Sequence, residues 1–490
     1  MDSAPENGHI RLGSPAGRRV LLATVLGSGI ALLDGTVVNV ALPALGADLD
    51  ADMAGLQWTV NAYTLTLAGL ILLGGSLGDR YGRRGVFLAG VIWFAVASAL
   101  CGLAPSVETL VAARALQGIG GALLTPGSLA IIQASFDRDD RPRAIGAWSG
   151  LGGVAAAVGP LLGGWLVETA GWRWVFLINL PVAALVVAVT VRHVPESRNP
   201  EATGRFDVLG TALAALALAG ITYGLVDLRP VPLAAGALLG AAFVRLEIRR
   251  SPAALVPVEV FASRVFTAVN AVTFVMYAAM GVVFFLLVVQ LQVSAGFLPL
   301  AAGSAIIPVT VLMLLLSSRA GEVARRIGPR APMTAGILMC AAALLLMARI
   351  GPGSSYVVDV LLPVSLFGLG LSAAVAPLTA TVLATADDRH AGVASGVNNA
   401  VARTGGLLAV AAIPPLAGLT GDAFTSPATF TAGFRTTMLI GAAMMGVSAL
   451  IAFAAIRENV LVRPEPTGPA GADDEPSGDD APTGPGRTRG

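Results

Sequence analysis

Charged side chains are scarce in this chain. Asp, Glu, Lys and Arg together make up 12% of its 490 residues, about half the share found in soluble domains. Hydrophobic residues make up 55%, and the mean hydropathy is +0.77. The length would suit two or three soluble domains, but so little charge indicates that most of the chain lies in a lipid bilayer.

Lysine is absent, so all 31 basic residues are arginine. The only cysteines, Cys101 and Cys340, lie inside apolar runs, which argues against a disulfide framework. The net charge of +1 points to no nucleic-acid partner. We find no Walker motif, metal-ligand cluster or nucleophile elbow, so we expect neither ATP-driven transport, nor a metal site, nor an enzyme.

Fourteen apolar runs are long enough to cross a bilayer, which takes about 20 residues of helix. Only Arg229 and Pro230 mark the turn between the seventh and eighth runs. The predicted spans lie at 20–43, 56–77, 85–104, 108–132, 143–166, 172–192, 207–226, 231–247, 265–291, 298–317, 331–350, 356–384, 392–415 and 434–456.

Arginine placement predicts the orientation of these spans, because cytoplasmic loops of membrane proteins are rich in basic residues. With the N-terminus inside, the inside segments up to Arg463 carry 23 arginines and the outside loops carry four. We therefore expect a multi-pass protein of the inner (plasma) membrane with both termini in the cytoplasm. Residues 1–19 are polar and are no signal peptide, and the Pro-, Gly- and Asp-rich residues 463–490 predict a disordered tail.

An internal repeat divides the chain. Residues 75–84, GSLGDRYGRR, follow the second span, and residues 321–330, GEVARRIGPR, follow the tenth at an offset of 246. We predict two six-helix bundles, at 20–192 and 265–456, with two inserted helices at 207–247. Parallel repeats of this kind place a substrate site near the membrane midplane, between the halves.

Four stretches together carry a family resemblance: 33–43 (LDGTVVNVALP), 75–84, 114–118 (RALQG) and 159–164 (GPLLGG). In order and spacing they resemble the signature motifs of the major facilitator superfamily, and most closely its drug:proton antiporter branch with fourteen spans. The resemblance is strong in the first half and weaker in the second, where Arg325 and Pro329 replace Asp79 and Arg83. It implies a fold of two six-helix bundles plus two inserted helices, all α.

Asp34 is the one carboxylate predicted deep inside a span, and such an acid is costly unless it is paired, hydrated or protonated. Arg114 shares a helical face with Gln117, Gly118, Gly121 and Thr125, which predicts either a cavity lining or a tight helix contact. The resemblance implies that Asp34 and Arg114 couple protons; a structural hydrogen bond and a static ion pair are the alternatives. The predicted cavity residues are Asp34, Asn39, Arg114, Gln117, Thr125, Asn398, Asn399 and Arg403.

Two further motifs predict a cytoplasmic gate and a closely packed, kinked helix. The charged turn after the second span is predicted to latch a cytoplasmic gate, or only to fix topology. The glycines of the fifth span and Pro160 predict close packing and a kink, and the resemblance makes this pattern a mark of antiporters. The gate residues are Gly75, Asp79, Arg80, Gly82, Arg83 and Arg84, and the antiporter-helix residues are Gly159, Pro160, Gly163 and Gly164.

Arg403 could bind substrate, pair with Asp387 or Asp388 at a gate, or pair structurally. The function we predict is proton-coupled export of small lipophilic compounds such as drugs or antibiotics, by a monomer that needs no cofactor beyond the proton gradient. Its partners are then the substrate, protons and the lipid bilayer. The alternatives are a proton symporter that imports a metabolite and a membrane sensor that transports nothing.

Overall fold

The computed structural model of the protein describes residues 10–198, 207–250, 261–385 and 391–456, with the backbone alone at 391–393. The predicted tail, and residues 1–9 of the predicted N-terminal segment, lie outside these ranges. Within them the chain forms sixteen α-helices, and the only β pairing is an isolated bridge between Ile10 and Phe136. The all-α prediction is confirmed.

The first six predicted spans are seven helices, because the sixth span is interrupted at Ile178. Three of the seven begin with a Ser or Asp side chain that accepts a hydrogen bond from the first turn, namely Ser14, Asp52 and Ser106. The helices are α1 (Pro15–Leu49), α2 (Met53–Tyr81), α3 (Arg83–Gly102), α4 (Val107–Ser135), α5 (Arg141–Thr169), α6 (Trp174–Leu177) and α7 (Asn179–His193).

The inserted pair and the second bundle follow. A π-helical stretch at Tyr356–Leu361 leads into the twelfth span, and Ala423–Thr425 form a 3-10 turn. The helices are α8 (Val208–Val226), α9 (Pro230–Arg250), α10 (Arg264–Val293), α11 (Pro299–Ser304), α12 (Ile307–Ile327), α13 (Arg330–Met347), α14 (Leu362–Ala384), α15 (Ala391–Leu416) and α16 (Pro427–Ala455).

Thirteen stretches of the described residues are long and apolar enough to cross a membrane. They match the predicted spans except the thirteenth, α15, whose Asn, Arg and Pro residues lower its hydropathy. Because α15 packs along α10 inside the bundle, the helix count fits fourteen spans.

The predicted repeat is visible in the backbone. Gly82 ends α2 with φ 119° and Gly328 ends α12 with φ 86°. Residues other than glycine rarely adopt backbone conformations with positive φ. The two glycines are 246 residues apart, which is the offset found in the sequence. The halves meet where α1 packs on α10, α2 on α15, and α5 on α11 and α12, while α8 packs on α2 and α15.

The two ends of the bundle differ. We call the end with the turns at Gly82 and Gly328 the arginine-rich end, and the end with the connections at 50–52 and 417–426 the arginine-poor end. Near the arginine-poor end the Gln57 amide donates a hydrogen bond of 2.6 Å to the Val410 carbonyl in the other half. Gln292 likewise donates to the Val40 carbonyl at 3.0 Å, and the Met53 amide to the Gly421 carbonyl at 2.9 Å.

One face of α5 shows where the halves separate. Near the arginine-poor end a Cβ on Gly164 would lie 2.5 Å from the Pro299 carbonyl oxygen of α11. On the same face, toward the arginine-rich end, Gly146, Gly150 and Gly153 would meet no atom within 4 Å. The protein is therefore closed at the arginine-poor end and open toward the arginine-rich end.

Candidate functional site: a buried ion pair beside a cavity between the halves

Asp34 on α1 and Arg114 on α4 form an ion pair inside the first bundle. The Arg114 Nη1 and Asp34 Oδ2 atoms are 2.5 Å apart, and the side chains are 1% and 0% exposed. Two opposite charges out of water are stable only with good geometry and further hydrogen bonds. The pair therefore needs the polar groups around it.

Three uncharged side chains complete the site around the carboxylate. The Gln117 amide nitrogen donates to Asp34 Oδ1 at 2.9 Å, and the Asn179 amide nitrogen donates to the same oxygen at 3.1 Å. Both amides also donate to the Ser98 hydroxyl, which itself donates to the Phe176 carbonyl. The network thus joins α1, α3, α4 and α7, so a change of charge on Asp34 acts on four helices.

The guanidinium of Arg114 has partners other than the carboxylate. Its Nε donates to the Thr59 carbonyl of α2 at 3.0 Å, and its Nη1 donates to the Gln117 side-chain oxygen at 2.7 Å. Its Cζ lies 4.4 Å from the centre of the Tyr63 ring and 5.7 Å from that of Phe176, within the range of cation–π attraction. Arg114 is therefore held in place even where Asp34 is neutral.

A cavity of about 490 Å³ lies between the halves. Its wall is largely apolar and includes Tyr277, Met280 and Phe284 of α10. Its polar groups include Asn61 of α2 and Arg403 of α15, and no carboxylate among the described residues lines it. Apolar walls with a few convergent polar groups are typical of sites for small organic molecules.

The ion pair and the cavity lie on opposite sides of α1. Gly35, Thr36 and Asn39 line the cavity, whereas Asp34 points away from it toward α4 and α7. Successive residues of an α-helix are separated by about 100°, so each of these three positions diverges from Asp34 by 100° or more around the helix. A molecule in the cavity does not touch Asp34; the two sites share one helix instead.

The predicted cavity set is therefore divided. Asn39, Asn399 and Arg403 line the cavity. The side chain of Asn398 instead points toward α10, where its amide nitrogen donates hydrogen bonds to the side chains of Asn270 and Thr273. Asp34, Arg114, Gln117 and Thr125 are not part of the cavity wall.

The predicted small-residue face of α4 makes the tight helix contact rather than a cavity wall. A Cβ on Gly118 would lie 2.3 Å from the Tyr63 carbonyl oxygen of α2. The Thr66 hydroxyl of α2 also donates to the Ala115 carbonyl at 2.8 Å. Arg114 and Gln117 consequently face the interior of their own bundle.

The predicted gate residues surround the turn at Gly82. Asp79 and Arg83 form an i,i+4 pair at 2.7 Å, and the Arg80 guanidinium carbon lies 5.8 Å from the centre of the Tyr81 ring. The Arg84 amide donates to Glu196, and the Arg84 side chain to the Val194 carbonyl. Gly75 packs against Pro126 of α4. The turn is thus fastened to the segment after α7, within its own half.

The antiporter-helix residues hold α5 close to α1 and α11. A Cβ on Gly159 or Gly163 would collide with Thr36 or Val37 of α1, and one on Gly164 with α11. Pro160 has no amide hydrogen, so the Ala156 carbonyl loses its helical partner. The Thr36 hydroxyl donates to that carbonyl at 3.2 Å.

Sequence reasoning missed Ser98, Asn179, Tyr63, Asn61 and Glu196. Single polar residues in apolar helices are common, so none of the first four stands out by itself. Their signal would have been a polar residue on the helix face opposite the lipid, in each of several spans. Glu196 lies outside the predicted spans and carried no motif.

The fold and the paired halves define a secondary transporter. The sequence model of the Major Facilitator Superfamily matches residues 24–410, and the chain belongs to that family. Known relatives include the tetracenomycin C resistance and export protein of Streptomyces glaucescens, 36% identical over 82% of this chain and 77% of its own. Another is the multidrug resistance protein Stp of Mycobacterium tuberculosis, strain CDC 1551 / Oshkosh, 35% identical over 80% of this chain and 74% of its own.

Solved structures agree on the fold. A POT family transporter in complex with a thioalcohol-conjugated peptide superposes with a TM-score of 0.68 at 13% identity, covering 89% of this chain and 96% of its own. The xylose transporter XylE from E. coli, in an inward open conformation, gives a TM-score of 0.60 at 16% identity, covering 90% of this chain and 96% of its own.

Proposed function

We propose that the protein is a proton-coupled antiporter that exports small lipophilic compounds by alternating access. The observation that carries the proposal is the buried Asp34–Arg114 pair beside a substrate-sized cavity between two halves. A carboxylate at membrane depth is the natural carrier of an exchanged proton. The names of relatives such as the tetracenomycin C and Stp proteins support drugs or antibiotics as the cargo.

Coupling would run through α1. Protonation of Asp34 removes the negative charge that Arg114, Gln117 and Asn179 hold, and so weakens the link from α1 to α4 and α7. The other side of α1 lines the cavity and packs on α5 and α10. Proton and substrate would then favour opposite positions of one helix without competing for the same atoms.

The proton gradient supplies enough energy for this exchange. A membrane potential of about 100 mV and a difference of about one pH unit give roughly 3.7 kcal/mol per proton. That corresponds to a substrate gradient of several hundredfold.

The arginine distribution supports an orientation in which the arginine-rich end and both termini face the cytoplasm of the cell's inner (plasma) membrane. The described state, open toward that end, would be the one that loads substrate. The exporter would act as a monomer without a further cofactor, because the cavity and the ion pair are complete within one chain.

Transport into inverted vesicles tests the proposal against its alternatives. With an acid interior, a proton antiporter accumulates a fluorescent lipophilic dye inside, and a protonophore abolishes the accumulation. A metabolite symporter would expel its cargo from such vesicles, and a sensor would move none. Accumulation of dye that is unchanged by the protonophore would contradict proton coupling.

A further inference from the structure

We infer that the cavity selects aromatic organic anions, with Arg403 as the residue that binds the acidic group. The inference rests on the proposed function of the same cavity and specifies its substrate class. Among the described residues, Arg403 is the one charged side chain in the cavity wall, and no carboxylate lines it.

Among the described residues, Arg403 has no partner of its own. It forms no ion pair or hydrogen bond with any described residue, and its buried Nε atom is unsatisfied. Its predicted gate partners, Asp387 and Asp388, lie outside the described residues. An arginine cannot lose its proton, so an unpaired guanidinium in a low-dielectric site favours a bound anion.

The acid that could have balanced this charge is engaged elsewhere. Asp34 is bound to Arg114 on the far side of α1, where Gln117 and Asn179 also donate to it. It therefore gives the cavity no net negative charge. A lipophilic cation would meet Arg403 without a compensating carboxylate, and would be repelled.

The remaining wall fits an aromatic body with hydrogen-bonding groups. Tyr277 and Phe284 present rings, and Met280 and Met313 present adaptable thioethers. Asn61 is 1% exposed, and neither its amide nitrogen nor its oxygen has a partner in the described chain. A buried unsatisfied amide of this kind is a ready partner for a hydroxyl or carbonyl of the bound molecule.

Three probes of one shape test the inference: 9-anthracenecarboxylate, its neutral carboxamide, and the cationic 9-(aminomethyl)anthracene. Binding to the full-length protein in nanodiscs is measured by fluorescence, with empty nanodiscs subtracted. We expect the carboxylate to bind at least tenfold more tightly than the amine, with the carboxamide between them. Equal binding of all three, tighter binding of the amine, or no binding would overturn the inference.

Variants separate charge from shape. Arg403→Gln should weaken binding of the carboxylate at least tenfold and that of the carboxamide less than threefold, whereas Arg403→Lys should retain the preference. Arg349→Gln, an exposed arginine outside the cavity wall in the same half, is the matched control and should change nothing. An equal loss for all probes in Arg403→Gln would mean that the residue only maintains the fold, and would contradict the inference.

Transport distinguishes this inference from the proposed function. If the carboxylate binds with the expected selectivity but is not accumulated by proton-loaded inverted vesicles, antiport fails and the anion site stands. If the amine is accumulated beyond the level in vesicles that lack the protein, where the acid interior alone traps a weak base, and the carboxylate is not accumulated, antiport stands and the anion site fails.

Discussion

At the residue scale, the chemistry of the two sites depends on which charges are paired and which are not. Asp34 and Arg114 are individually costly inside a membrane, and each makes the other tolerable. Arg403 lacks such a partner among the described residues. The sequence located all three residues, because a charge in an apolar run is conspicuous. It did not show that Asp34 and Arg114 meet, since periodicity defines the face of a helix but not its neighbour.

The pairing changes what we expect of Asp34→Asn. Neutralising an isolated buried acid would lower its desolvation cost, but here it leaves the buried charge of Arg114 without its counter-ion. Removing one partner of a buried pair costs roughly 3–5 kcal/mol, so Asp34→Asn should lower the thermal unfolding temperature of the purified protein. The aromatic and carbonyl partners of Arg114 should keep the loss near the lower figure.

The matched control is the double variant of Asp34→Asn with Arg114→Gln, which removes both charges. It should regain much of the lost thermal stability. A double variant that is less stable than Asp34→Asn alone would mean that the two charges are not an energetic pair.

At the scale of the helices, prolines and glycines create the contacts between halves. Pro414 and Pro415 carry no amide hydrogen, so the Val410 and Ala411 carbonyls of α15 lose their helical partners. The side-chain amide of Gln57 on α2 donates hydrogen bonds to both carbonyls instead, and so links the two halves. Thr36 does the same for the carbonyl freed by Pro160. The sequence predicted a kink at Pro160, but the partner of the freed carbonyl depends on packing.

Closure at the arginine-poor end can be tested at Gly164. In Gly164→Val the side chain would collide with Pro299 and Leu300, so this end should spend more time open. Asn39→Cys reports the opening, in a background where Cys101 and Cys340 are alanine. Its labelling by a membrane-impermeant thiol reagent, applied to intact cells, should become severalfold faster.

Gly153→Val is the control on the same face of α5, because its Cβ meets no atom within 4 Å. Its labelling rate should match that of the parent. Equal rates in Gly164→Val and Gly153→Val would show that contact with α11 does not hold this end closed.

The turn at Gly82 gives a second test at this scale. Gly82→Ala adds a Cβ at φ 119° and 2.9 Å from the Glu196 carboxyl group. Strained backbone of this kind costs of order 1–3 kcal/mol, so the variant should unfold at a lower temperature. Gly78→Ala, one turn earlier with its nearest atom at 3.9 Å, should be close to neutral, and equal losses at both positions would refute the argument.

At the scale of the whole molecule, the sequence predicted much of the architecture. Hydropathy located the spans, and the 246-residue offset revealed two bundles, because both signals are carried by the chain itself. The cavity wall was predicted only in part, with Asn39, Asn399 and Arg403. Asp34 was expected in that wall, but it lies behind α1, and this depends on how the six helices are arranged around one another.

Orientation is a prediction at the same scale. A reporter that fluoresces only in the cytoplasm should be bright when fused after Arg84 or after Arg463, because the arginine-rich segments are retained inside. A fusion after Asp50, in the connection at the arginine-poor end, is the control and should be dark. A dark fusion after Arg84 or Arg463 would contradict fourteen spans with both termini inside.

The central claim is that Asp34 couples protons to a cavity that it does not touch. The most direct test compares two activities of proteoliposomes that contain the Asp34→Asn, Arg114→Gln double variant. Exchange of labelled for unlabelled dye needs only the cavity and alternating access, and should continue. Accumulation of dye driven by a pH gradient needs the proton carrier, and should be lost. Accumulation that persists in the double variant at the rate of the parent protein would contradict the account.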